Sequence, residues 1–254
     1  MGFIVNQTGL VSVVHSHNSF GDTRVSSNPT SAKTKCLNSP MNVHSLLLRG
    51  KNRSPKRAIG DNCPLIYALK KKEQLRTSYQ SFKPLVDSLN QIVDKFFVQQ
   101  CALGITYNEV ITMPSSHKIS LILGKRIATK FNASLNHGLF LKTTNAQVRQ
   151  QIFGNFTAIP HGARTNIIDA VSKAELENRE FSLSDVKTEY RNYVSPLTMN
   201  STFNNTQSSI LLVDDLFATG KTLVTAKDLL LSHGCSINNI EALCLFSPLN
   251  GRIR

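Results

Sequence analysis

Apolar positions along the chain follow two different spacings, and the spacing predicts the elements. Over residues 79–97 they recur at three and four, at Phe82, Leu85, Leu89, Ile92, Val93, Phe96 and Phe97, which predicts an amphipathic helix packed against a sheet. Leu121, Ile122, Ile127 and Phe131 predict the face of a second helix over 119–131, and the apolar-periodic run at 223–231 predicts a third. Between these lie short apolar runs at 108–114, 138–142, 210–213 and 240–246. Runs this short and rich in branched side chains suit strands buried on both faces. The order strand, loop, helix occurs at 108–131 and again at 210–231. It predicts an α/β fold, a parallel sheet flanked by helices and joined by right-handed crossovers.

The polar stretches set the boundaries. Residues 1–45 are rich in Ser, Asn and Thr with little periodicity after Val14, and 49–60 form a basic knot, so 1–60 is expected to be a basic, mostly disordered extension. The apolar piece 63–70 begins the ordered domain, 61–254, and the Lys70-Lys71-Lys72 run ends that piece. Residues 145–198, polar and helix-forming, read as a helical insertion, and an Asn/Ser/Thr-rich linker at 199–208 leads back to the strand at 210.

Composition narrows the class. The 254 residues allow one substantial domain with an appendage or two small domains, and 41% hydrophobic content supports a real core. Five cysteines, odd in number and without C-x-x-C spacing, indicate neither a disulfide framework nor a zinc site; thiols in a reducing, cytoplasmic setting are expected. No run of about 18 apolar residues and no signal-like start point to a membrane. The net charge of +13 is uneven, since residues 1–73 hold eleven Lys/Arg against three Asp/Glu. Such an arm attracts polyanions, and nucleic acid is the partner it suggests, although no aromatic side chains are interleaved to stack bases, which favours solvated charge on the segment over that partner. His117, His137 and His161 show no metal-ligand spacing, so no metal site is expected from the protein alone.

The chemistry concentrates in 210–222, where an apolar strand ends in Asp214 and Asp215 and passes through Ala218, Thr219, Gly220, Lys221 and Thr222 into a helix. In open α/β sheets ligands bind at that end of the strands. Backbone amides at a helix start hold a phosphate, with Gly220 allowing close approach, while the carboxylates accept from hydroxyls or hold a metal. A P-loop, G-x-x-x-x-G-K-[ST], is excluded because its first glycine would fall on Asp215.

Apolar run, Asp-Asp, three residues, Thr-Gly-x-Thr resembles the 5-phosphoribosyl 1-pyrophosphate (PRPP) loop of the type I phosphoribosyltransferases, and the sparse surroundings of the motif resemble the ComF-like branch more than purine or pyrimidine salvage enzymes. The resemblance implies a phosphoribosyltransferase-like domain that takes PRPP with Mg²⁺ and transfers ribosyl 5-phosphate to an acceptor nitrogen, releasing pyrophosphate. It implies that Asp214 and Asp215 hold the ribose hydroxyls and that 218–222 hold the 5′-phosphate. The loop after the earlier strand, with Ser115, Ser116, His117 and Lys118, stands where the family binds pyrophosphate, and Ser115 or Ser116 is the expected helix cap. Lys142, Arg149 and Arg164 are candidates to reach pyrophosphate from the insertion. A homo-oligomer is among the expected assemblies. The alternative on the same fold is a non-catalytic PRPP-sensing, or nucleic-acid-associated regulatory or defence, accessory protein.

Overall fold

The structure is a computed structural model describing residues 2–14, 20–33, 40–50, 59–115, 117–200, 203, 208–236 and 240–248. In chain order its strands are β1 (Gly2–Val5), β2 (Val11–Val14), β3 (Gly21–Asp22), β4 (Thr30–Lys33), β5 (Asn42–Arg49), β6 (Glu109–Thr112), β7 (Ser134–His137), β8 (Phe140–Lys142), β9 (Leu197–Met199), β10 (Ile210–Leu216) and β11 (Ile240–Ser247). The helices are α1 (Pro64–Leu69), α2 (Tyr79–Ala102), α3 (Ile119–Phe131), α4 (Asn145–Gly154), α5 (His161–Leu176) and α6 (Lys221–Ser232).

β10 lies inside the central sheet, whose order is β3-β5-β11-β10-β6-β7. The five strands from β5 to β7 are parallel, and the short β3 and β4 run antiparallel along the outer edge of β5. Both faces of the parallel part are covered. Val110, Leu211, Val213 and Leu243 pack with Ile92, Val93 and Phe96 of α2 and with Leu123 and Ile127 of α3. Their neighbours Ile111, Ile210, Leu212 and Ala242 pack on the other face with Leu223, Ala226 and Leu230 of α6. A strand that alternates between two apolar layers must be apolar at every position, which is why Ile210 to Val213 are all fully buried. The mixed α/β architecture agrees with the predicted class.

Three expectations need correction. Within the extension expected to be mostly disordered, residues 42–49 form β5, a full strand of the sheet in register with β11, and Val43, Leu46 and Leu47 are fully buried. The apolar run inside this segment is short and surrounded by Ser and Asn, so composition averaged over 1–60 hid it. The β1–β2 hairpin also joins the core, with the Phe3 ring edge-on to Phe246 at 5.7 Å. Residues 51–58, most of the basic knot, lie outside the described residues. Second, the strand expected at 138–142 is β8, which pairs with β9 outside the central sheet, while the strand that pairs with β6 is β7, at 134–137, where none was expected. Gly138, at φ +110, turns the chain between them. Third, α3 buries Ser120, Leu123, Gly124, Ile127 and Ala128, while Ile122 is 66% exposed. The helix sits close to the sheet at Gly124, where a Cβ would meet the Thr112 methyl at 2.3 Å.

The insertion has a core of its own, in which Val148 and Ile152 of α4 meet Ile167 and Val171 of α5, closed by Phe181, Val186 and Val194. No helix among the described residues is long and apolar enough to cross a membrane.

Candidate functional site

β10 carries Asp214 and Asp215 at its carboxyl end, and the next residue after its end, Phe217, is buried and turns the chain. Gly220 then takes a left-handed conformation, φ +75, at the cap position of α6, and a Cβ there would stand 2.6 Å from the Phe217 ring. The demand for glycine here is local packing: only glycine brings the backbone this close to the ring in this conformation. No side chain caps α6, so its first amides are left for another acceptor. Ala218 and Thr219 are exposed, Lys221 and Thr222 half-buried. Burial lowers the pKa of the Lys221 ammonium, and Asp228 offsets part of that effect.

The two carboxylates behave differently. Asp214 turns back on its own chain, its Oδ1 accepting from the Asp215 N–H at 2.8 Å. Asp215 is 4% exposed and meets Lys70 Nζ at 2.6 Å, a charge contact that lacks the alignment of a hydrogen bond. Burial, and then the neighbouring Asp215 carboxylate, push the Asp214 carboxyl up to about 7, against the pull of Lys70 and Lys142. Two adjacent carboxylates at a closed strand end are thus held with one intramolecular cation in place, a cost that a ligand or cation can relieve.

β6 lies beside β10 in parallel register, and the Met113 N–H donates to the Val213 carbonyl at 2.9 Å, so the loops that follow the two strands emerge at the same end. The His117 ring stands among Lys70, Lys72, Lys142 and Asp215; burial first, and then the two α1-side lysines, lower its pKa. Ser115 accepts from the His117 N–H at 3.3 Å and does not cap α3, whose cap position is the exposed Lys118 without a side-chain bond. Ser116 lies outside the described residues. Between the loops is a cavity of about 180 Å³, with Pro114, Lys142 and Thr222 on the sheet side and Ser182, Ser184 and Leu197 on the insertion side.

Of the insertion cations, Lys142 reaches this cavity. Arg149 instead pairs with Glu175 at 2.7 Å, and Arg164 donates to the Phe156 carbonyl at 2.6 Å with its guanidinium over the Phe156 ring. Both serve the insertion's own packing rather than the site. Lys70 and Lys72 were missed in the sequence, where the run read only as the end of an apolar piece. Complementarity to Asp215, 145 positions away, is a tertiary fact that the local pattern does not carry.

Residues 151–254 match the family model of the phosphoribosyl transferase domain. The matched span contains β10, its loop, α6 and β11, so the family likeness and the local geometry fall on the same element. No curated protein matches the chain. The match covers less than half of the chain and shows a likeness to the phosphoribosyl transferase domain over that span.

Proposed function

We propose that the protein binds PRPP with Mg²⁺ at the carboxyl end of β10 and transfers ribosyl 5-phosphate to an acceptor nitrogen, with release of pyrophosphate. The observation that carries this reading is the placement of Asp214 and Asp215 on one continuous element with an uncapped helix start, beside the loop that follows β6. That arrangement offers acceptors to vicinal hydroxyls and donors to a phosphate at opposite ends of one sugar. In the reaction the C1–O bond to pyrophosphate breaks, positive charge grows on the ribose, and the acceptor nitrogen bonds to C1 as it gives up a proton. Carboxylates fixed near that charge stabilise it, and the remote 5′-phosphate contributes binding energy to orientation. Lys142, with Lys70 and Lys72, supplies the positive field a departing pyrophosphate needs.

The residues fit a divalent cation as well, because Asp215 already draws a cation to 2.6 Å and Mg²⁺ favours substrate phosphates with one or two carboxylates. When bound, Mg²⁺ supplies charge neutralisation on the leaving group. The ComF-like branch remains part of the proposal, resting on the sparse surroundings of the motif at 210–222.

The test is titration calorimetry with PRPP and Mg²⁺, followed by pyrophosphate release with a panel of nitrogenous bases. Binding that Asp214→Asn weakens, with pyrophosphate formed for at least one base, supports the enzyme. Binding with no pyrophosphate for any acceptor leaves a PRPP sensor, and no binding at all overturns the ligand.

A further inference from the structure

A second group of polar side chains meets at the other, amino end of the parallel strands, away from Asp214. Glu241 stands near the start of β11, His44 near the start of β5, and Ser31 on β4 is the register partner of His44. The His44 Nε2 lies 2.9 Å from Glu241 Oε2, and its Nδ1 lies 2.7 Å from Ser31 Oγ. Glu241 also accepts from Asn42 Nδ2 at 2.7 Å and from the hydroxyl of Tyr107. His44 and Glu241 are 4% and 9% exposed, whereas Ser31 is exposed on the outer strand.

The hydrogen bonds fix the direction of the chain. Burial alone would raise the Glu241 pKa, but bonds from His44, Tyr107 and Asn42 outweigh it and hold the carboxyl down at about 2. An ionised carboxylate only accepts, so in the neutral imidazole Nε2 carries the proton and Nδ1 presents a lone pair. With the imidazole neutral, Ser31 donates its hydroxyl proton to Nδ1. A hydroxyl on a base, with the base held by a third group, is the arrangement that activates a serine nucleophile. Ser31 also sits on an edge strand paired, among the described residues, only with β5, and alternate amides of such a strand face outward as free donors for an oxyanion.

We propose that Ser31 is a reactive nucleophile toward small ester-type acyl and phosphonyl electrophiles, with His44 as its general base and Glu241 as the positioning residue. In the acyl case the Ser31 Oγ–carbonyl bond forms while the bond to the alcohol breaks. The hydroxyl proton passes to His44 Nδ1 and on to the departing alkoxide; water then repeats the exchange and frees the serine. This site is independent of the PRPP reading.

The experiment treats the full chain with an alkyl fluorophosphonate and maps the adduct by peptide mass spectrometry. Labelling forms the Oγ–P bond and expels fluoride. The expected result is one adduct, on Ser31, lost in Ser31→Ala with PRPP binding unchanged, and slowed about 100-fold in His44→Gln, the usual size of a general-base contribution. Absence of an adduct on Ser31 in the wild-type chain overturns the proposal, as does a folded His44→Gln variant that labels at the wild-type rate. Should that variant fail to fold, the wild-type rate is set against a free peptide of residues 26–33; equal rates also overturn it.

Discussion

Replacing Asp214 by Asn is expected to stabilise the fold while it weakens ligand binding. The Asp214 carboxyl is raised from 3.8 to about 7, by burial first and by Asp215 second. At about 1.4 kcal/mol per unit that shift corresponds to about 4 kcal/mol, and sharing of the repulsion with Asp215 sets about 2 kcal/mol as the lower figure. The sign follows from the protons. Below pH 3.8 the group is protonated in both states and costs nothing. Between 3.8 and about 7 the folded state keeps a proton that the unfolded chain releases, so stability falls as pH rises; above about 7 the full cost is present. Asparagine has no such proton, and its side-chain oxygen can still accept from the Asp215 N–H. Thermal unfolding of Asp214→Asn should therefore exceed the wild type by roughly 5–10 °C at pH 8 and match it near pH 4. Calorimetry on the same samples should show PRPP affinity reduced by about tenfold or more, since a neutral amide is a poorer acceptor for the ribose hydroxyls. A melting temperature that is unchanged or lower at pH 8, or one raised equally at both pH values, would refute the electrostatic reasoning.

Three further outcomes are expected. Gly220→Ala forces a left-handed alanine whose Cβ meets the Phe217 ring at 2.6 Å, so urea unfolding should show a loss of about 1–2 kcal/mol and calorimetry a weaker PRPP site; a loss under about 0.5 kcal/mol contradicts the loop geometry. Leu47→Ala empties a fully buried position of β5 and should cost about 2–5 kcal/mol, a measurement that separates a sheet strand from a loose arm, which would lose almost nothing. Glu241 is depressed from 4.5 to about 2, so its contribution is complete above pH 4.5 and disappears as pH falls toward 2. Acid titration of stability should flatten over that window in Glu241→Gln, and an unaltered profile would show that the His44–Glu241 network carries no pH dependence.

Legibility in the sequence followed the range of the interactions. α2, α3, α6, β10 and β11 were readable because each buries a continuous apolar surface whose period is local. The Asp-Asp strand end and its glycine were readable for a related reason, since β10, loop and helix are contiguous and every group in them acts within a few residues. What stayed hidden depends on distant partners. The apolar run of β5, Leu46 to Leu48, is short among polar neighbours, and the segment becomes a strand because β11 offers it a parallel partner and β3 and β4 antiparallel ones. β7 carries Ser, Asn and His among its four residues and is an edge strand, exposed enough that no apolar run marks it. Arg149 and Arg164 looked like anion ligands by charge and position, but Glu175 and Phe156 within the insertion claim them first.

Lys70 shows why a strand with such unfavourable electrostatics persists in the fold. Side-by-side carboxylates at a buried strand end repel each other and lose hydration, and the apolar run of β10 gives neither of them compensation. The ammonium of Lys70, itself mostly buried, neutralises Asp215 and leaves Asp214 to relieve the remaining repulsion by holding a proton. A ligand that brings hydroxyls to Asp214 and a cation to Asp215 replaces both devices at once. On the proposed function such a ligand would free Lys70 to face its anionic part, so the cation now paired with Asp215 would serve both. On the proposed function the electrostatic cost at 214–215 is one that the ligand would relieve, and the surrounding sheet, buried on both faces, carries the stability that the site withholds.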